Sequence, residues 1–206
     1  MRRVALLLAA LSAAPSAVYA QECFGQAPWS AGALKVGGGI EIGDHYTDLY
    51  GNIAAGKDGG FFFHAGAGNT NYDGPFSQVF LFGGVGKEMS SKLGGKVSIC
   101  PVANASYGLK KDDFSYLVVV GGLHGGYPLS TSGSVGIILT GGFRAGLDRV
   151  TDTGVSDTQF IGILDGGVGF VFNDRISVVP VVILYFGEGS DFAFGARANI
   201  ALGSKN

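Results

Sequence analysis

From residue 31 onward, apolar side chains alternate with small or polar ones at a period of two, in segments of roughly ten residues separated by glycine-rich links. No segment carries the i, i+3, i+4 apolar stripe of an amphipathic helix over three turns, so the pattern predicts strands and almost no helix. Ten strands are expected, at 32–42, 47–56, 60–68, 76–88, 95–109, 114–127, 133–148, 158–172, 175–187 and 191–203. In the fifth, Val97, Ile99, Pro101, Ala103, Ala105 and Tyr107 share one face, and Lys96, Ser98, Cys100, Asn104 and Ser106 the other. The seventh sets Val135, Ile137, Leu139, Phe143 and Leu147 against Thr140, Arg144 and Asp148; the tenth sets Phe192, Phe194, Ala198, Ile200 and Leu202 against Arg197 and Asn199.

A wall with one greasy and one polar face suits a transmembrane barrel, apolar side to lipid and polar side to the lumen. A soluble sandwich would turn its polar residues outward over a denser apolar interior. The expected fold class is therefore all-β, a single closed antiparallel up-and-down transmembrane β-barrel of ten strands, with eight as the alternative. The even-numbered links, Lys57-Asp58-Gly59, Met89 to Gly94, Leu129 to Ser132 and Asn173-Asp174, are short enough for periplasmic turns. Asp44 to Asp48, Asn69 to Pro75 and Val150 to Asp157 are then the outward loops. Tyr46, Tyr50, Tyr72, Phe76, Tyr107, Phe114, Tyr127, Phe143, Phe172, Phe186 and Phe192, near strand ends, are the expected interfacial aromatics.

Ahead of the strands, Met1-Arg2-Arg3, the apolar Val4 to Leu11 and the small-residue site Val18-Tyr19-Ala20 read as a cleaved signal peptide at 1–20. Residues 21–30 follow as an N-terminal periplasmic segment, and 31–206 form the barrel. Glu22 and Gln21 stand where a lipoprotein site needs small apolar residues, which argues against lipid anchoring. The longest apolar run after the signal, Val178 to Phe186, has nine residues and contains Pro180, so no helix of this chain can span a bilayer. Glycine, at 37 of 206 residues, has no triplet period that would suggest collagen, and fits a curved sheet around a small lumen. Without Arg2 and Arg3 the mature chain has 12 basic and 16 acidic side chains, a balance that opposes a nucleic-acid partner.

Cys23 and Cys100 are the two cysteines, and export places them where disulfides form. Cys100 follows a periplasmic turn on the lumen face, and the eight or so residues from Cys23 to the first strand can reach ~26 Å. A Cys23–Cys100 bridge is expected to pin residues 21–30, with Trp29, across or into the periplasmic opening. Glu41, Arg144, Asp165 and Arg197 also fall on the lumen face. Strand adjacency makes Glu41–Arg197 and Arg144–Asp165 the expected charge pairs, filling the lumen rather than gating it.

Catalytic signals are poor. His45 stands beside Asp44 and Asp48 in the first outward loop, which a solvated loop explains equally well, and His64 and His124 lie inward among glycines. There is no Cys-x-x-Cys, His-x-x-x-His or EF-hand spacing. Gly83-Gly84-Val85-Gly86-Lys87 runs into Glu88 where a phosphate loop needs Ser or Thr. No catalytic residue, metal or cofactor is expected.

The Gly-Gly-aromatic strands, the segment Phe82-Gly83-Gly84-Val85-Gly86-Lys87 leading through Ser90-Ser91-Lys92-Leu93 to Val97-Ser98-Ile99-Cys100-Pro101, and the closing Phe192-Ala193-Phe194-Gly195 resemble small bacterial outer-membrane β-barrel proteins of the OmpA and OmpX class. Such proteins commonly end on an aromatic residue read by the assembly machinery, whereas this chain ends Leu202-Gly203-Ser204-Lys205-Asn206. The resemblance implies an outer-membrane location, with lipid and the assembly machinery as partners and the external ligand unknown. It also implies a non-catalytic structural or surface-interaction role with a largely filled lumen. The alternatives are a narrow channel for ions or small solutes and a soluble lipocalin-like carrier of an apolar ligand.

Overall fold

Strict alternation leaves each strand one face it must bury and one that cannot face water, and rolling the sheet until its edges meet satisfies both and removes the unpaired edges. The computed structural model describes residues 22–27, 29, 33–73, 76–90, 97–130, 134–187 and 190–203. Ten wall strands run in chain order: β1 Leu34–Ile42, β2 Tyr46–Gly56, β3 Phe61–Tyr72, β4 Ser77–Lys87, β5 Ser98–Lys111, β6 Phe114–Ser130, β7 Val135–Asp152, β8 Val155–Phe172, β9 Ile176–Gly187 and β10 Asp191–Leu202. Met89–Ser90 continues the β4 row past Glu88, pairing with Ile99 and Ser98. Each strand pairs antiparallel with the next, and β1 pairs with β10 from Leu34↔Leu202 to Ile42↔Phe194. The barrel is closed, with ten strands rather than eight. Helical conformation among the described residues is limited to a 3₁₀ turn at Glu22–Phe24 and to Trp29.

Side chains divide as the alternation requires. Leu139 and Ile200 point outward at 43% and 49% exposure, in a belt shared with Ile53, Phe63, Leu123 and Phe194. Cys100, Val120, His124, Asp165, Val179 and Asn199 are buried inside. A soluble lipocalin carries its greasy face inward, so this outward belt is the reverse of that arrangement.

Two sequence expectations need correction. Val150 to Asp157 is not a loop: β7 and β8, each 18 residues long, extend to a turn at Thr153-Gly154. Thr153 and Gly154 have φ of 48° and 84°, as Asp112-Asp113 and Asn173-Asp174 also have positive φ. Two successive residues of this kind match the right-handed twist of a hairpin and make a two-residue link sufficient. Asn69 to Tyr72 likewise belongs to β3. The second correction concerns Tyr46, Tyr50 and Tyr72, which share the parity of Asp48 and Thr70 and so enter the lumen, not the interfacial girdle.

The wall is uneven in height. At ~3.4 Å per residue, β7 and β8 are roughly 60 Å long and β1 roughly half that. The apolar belt on the β7–β8 hairpin stops at the pair Leu147↔Phe160, beyond which Arg149, Asp152 and Asp157 are exposed. The β8–β9 ladder is interrupted at Val179 and Pro180, since proline has no N–H to give.

Candidate functional site

The N-terminal segment folds back into the end of the lumen where β2–β3, β4–β5, β6–β7 and β8–β9 connect. Cys23 is joined to Cys100 on β5 by a disulfide with Cα atoms 6.1 Å apart. The Cys23 carbonyl faces His124 Nδ1 at 2.9 Å and accepts a hydrogen bond from the Thr140 hydroxyl. Phe24 stacks on His124 with centroids 4.5 Å apart and meets Phe62 edge-on at 5.7 Å. Gly25, at φ 65°, lies so close to Gly169 that a Cβ on Gly169 would fall 2.1 Å from the Gly25 carbonyl oxygen. Only glycines allow that approach.

Ala27 packs with Ile138 and Val171. Trp29 is buried with Phe62, its backbone N–H donating to Asp58 Oδ1 at 2.8 Å in the β2–β3 turn. Lys35, fully buried, donates to the Ala27 carbonyl and holds its Nζ 3.8 Å from the Trp29 ring centroid. Glu88, also buried, accepts the Gly59 N–H at 3.2 Å; desolvation raises its carboxyl from the usual 4.5 to about 7, with Asp58 adding to the rise and Lys35 opposing it. The segment thus meets side chains or backbone of β1, β2, β3, β5, β6, β7 and β8 and the β2–β3 turn.

Deeper in, Asp165 Oδ1 lies 3.0 Å from both Arg144 Nη2 and His124 Nε2. With the Cys23 carbonyl on one side and Asp165 on the other, both ring nitrogens of His124 face oxygen atoms, which fixes the ring's orientation in the bore. His64 Nε2 meets Asn104 Oδ1 at 2.9 Å across β3 and β5. Glu41 accepts hydrogen bonds from Tyr46 at 2.6 Å and Tyr185 at 2.5 Å, while Arg197 is hydrogen-bonded to Tyr50.

At the opposite end the lumen opens into a cavity of about 310 Å³, walled by Tyr46, Asp48, Thr70, Tyr72, Tyr116, Asp148, Gln159, Ile161, Tyr185 and Asp191 among others. Two of the lining tyrosines, Tyr46 and Tyr185, donate to Glu41, which is not itself in the lining. Asp48 is bonded to Thr70, its partner across β2–β3, and Asp148 Oδ2 accepts from Gln159 Nε2 at 3.3 Å. The Oδ1 atoms of Asp48 and Asp148 are buried without a hydrogen-bond partner.

No family model matches the chain, and no curated protein matches it. Among solved structures, the barrel is similar to the beta domain of the Bordetella autotransporter BrkA, at 12% identity over 82% of this chain and 98% of that one, with a TM-score of 0.53. The chain has the fold of an outer-membrane β-barrel. A looser likeness, with a TM-score of 0.38 and 9% identity, links 81% of this chain to 95% of the N-terminal β-barrel domain of Pseudomonas aeruginosa OprF. At such identities the likeness extends to the fold alone.

Within this outer-membrane barrel fold, the sequence-marked residues fare differently. Cys23 with Cys100, and Arg144 with Asp165, lie together. Glu41 and Arg197 take tyrosine partners: the β1–β10 register sets Glu41 opposite Gly195 and Gly39 opposite Arg197, two residues apart along the strands. His45 is exposed and reaches Asp73 at 3.4 Å, whereas Asp48 turns inward. Lys35, His124, Glu88 and the mouth tyrosines were missed as site residues. His124 was read as inward but not as a partner of Asp165, lumen parity would have flagged the tyrosines, and nothing local marks Lys35 as buried under a distant tryptophan. Residues 1–21, which hold the expected signal peptide, lie outside the described residues, as do most of the Met89 to Gly94 link and the chain end 204–206.

Proposed function

We propose that this is an exported outer-membrane barrel of the structural or surface-interaction type, closed to large solutes by its own N-terminal segment, with no catalytic role. The observation that supports this reading is the seating of Cys23, Phe24 and Trp29 among wall residues of β2, β3 and β5–β8, bonded covalently and through backbone groups. A segment held so densely fills the bore with side chains and leaves no wide aqueous path. The plugged end, with Asn173-Asp174 and Lys57 to Gly59, faces the periplasm, and the tall β7–β8 side projects outward from the cell. Lipid packs against the outward belt, and the outer-membrane assembly machinery inserts the chain; no nucleic acid is expected as partner.

Planar-bilayer conductance tests the reading. The oxidised mature protein should show little or no conductance, and a variant lacking residues 22–29 should open. Stable open-pore conductance in the oxidised wild type would replace this reading with the narrow-channel alternative, which draws on the lumen charges Glu41, Arg144, Asp165 and Arg197.

A further inference from the structure

We propose that the far mouth of the barrel binds a small free organic cation, an alkylammonium or guanidinium compound. This deepens the surface-interaction reading and rests on it for the mouth's outward orientation. Three features converge in one cavity. Its volume of about 310 Å³ lies in the range that suits a small molecule. Four tyrosines, from β2, β3, β6 and β9, line it, and aromatic rings grouped around a partly dry space attract cations through their faces. Its charged lining residues are Asp48, Asp148 and Asp191, with neither Lys, Arg nor His in the lining and with Glu41 hydrogen-bonded to two of the lining tyrosines.

The carboxylates meet neutral donors of the chain and no cation, Asp191 Oδ1 accepting the Phe192 N–H at 2.7 Å. Asp48 uses Thr70 and Asp148 uses Gln159, and each keeps a buried Oδ1 with no hydrogen-bond partner. The two Oδ1 atoms are closed off from the cavity, so what the lining presents to a ligand is the net negative charge of the carboxylates with no cationic side chain beside them, which a ligand carrying positive charge and N–H donors compensates. Deeper in the lumen the opposite holds, since Asp165 has Arg144 and His124. A neutral saccharide could stack on tyrosine and donate to aspartate, but it leaves the charge uncompensated.

The test is calorimetric titration of the oxidised mature protein, refolded in neutral detergent, with spermidine and tetramethylammonium, and with glucose and acetate as comparison probes. Both cations should bind, spermidine more tightly because it adds N–H donors, and the affinity should fall as salt rises. Asp48→Asn combined with Asp148→Asn should weaken spermidine about tenfold or more, with heat-modifiable gel migration confirming the fold. No heat from either cation, glucose binding as tightly as spermidine, or full affinity in the double variant would overturn the proposal. If the double variant does not fold, the salt dependence of the wild type decides alone, and salt-insensitive binding overturns it. Conductance keeps the two readings apart: a closed barrel that binds no cation leaves the plug standing, and a conducting barrel that binds spermidine leaves the mouth site standing.

Discussion

At the plugged end, Phe24, Trp29 and Phe62 pack on one another over a buried lysine, and the acceptors there meet donors from the plug or the turns. At the far mouth four tyrosines and three aspartates surround open space, and two carboxylate oxygens have no donor. The same barrel parity produces both, since inward positions at either end hold aromatics and polar groups. The difference is that a segment of the chain itself reaches one end and nothing of the described chain reaches the other. The plugged end also keeps one buried donor without a partner, the Trp29 indole N–H, so the contrast lies in charge: the plug buries a lysine beside Glu88 and Trp29, while the mouth gathers carboxylates with no cation in its lining.

The largest break in that comparison is the tether. Cys100→Ser opens a loop closed over a sequence separation of 77 and should cost about 4.5 kcal/mol in the unfolded-chain entropy model, read as a lower temperature of heat-modifiable migration. The same variant should conduct more often than the oxidised wild type. Next, Asp165→Ala leaves Arg144 and His124 facing an apolar methyl and should destabilise by about 3 kcal/mol in urea-driven unfolding from micelles. Gly169→Ala strikes the plug without touching a charge: the new methyl meets the Gly25 backbone, which cannot swing away as a side chain would. A loss of about 1–2 kcal/mol and partial opening in bilayers are expected.

Asp148→Asn at the mouth should move stability by no more than about 0.5 kcal/mol in the same assay, since its lost charge was not holding the fold together. A cost as large as that of Asp165→Ala would erase the distinction between the two ends. The smallest effect is the pH response at the plug. Because burial raises the Glu88 carboxyl from 4.5 to about 7, its contribution is fully present below the lower value and is lost as pH rises through the upper one. Glu88→Gln should flatten the stability profile across that window, and an unchanged slope would mean another group governs it.

Much of this was legible without coordinates. A period of two with apolar residues on one parity assigns the sides of the regular strand segments, so a closed antiparallel barrel of ten strands with eight as the alternative, the inward Arg144, Asp165 and Arg197, and the outward Leu139 and Ile200 were legible in the sequence. The pairing of Cys23 with Cys100 was legible for a different reason: they are the two cysteines of an exported chain, one of them on the lumen face near a turn. Strand lengths at the far end were not, because polar hairpins beyond the lipid belt lose the apolar alternation that marks a strand, and positive-φ pairs such as Asp112-Asp113 are not confined to glycine.

The chain's own pattern thus determines which face each residue takes, since parity is a local property of extended backbone. Tertiary structure alone decides who meets whom across the bore. Register set Glu41 beside tyrosines instead of Arg197, and folding back of residues 23–29 turned Lys35 into a buried partner of Trp29. The height at which a side chain enters the lumen depends on the stagger summed around ten strands, a quantity that no short window of sequence contains.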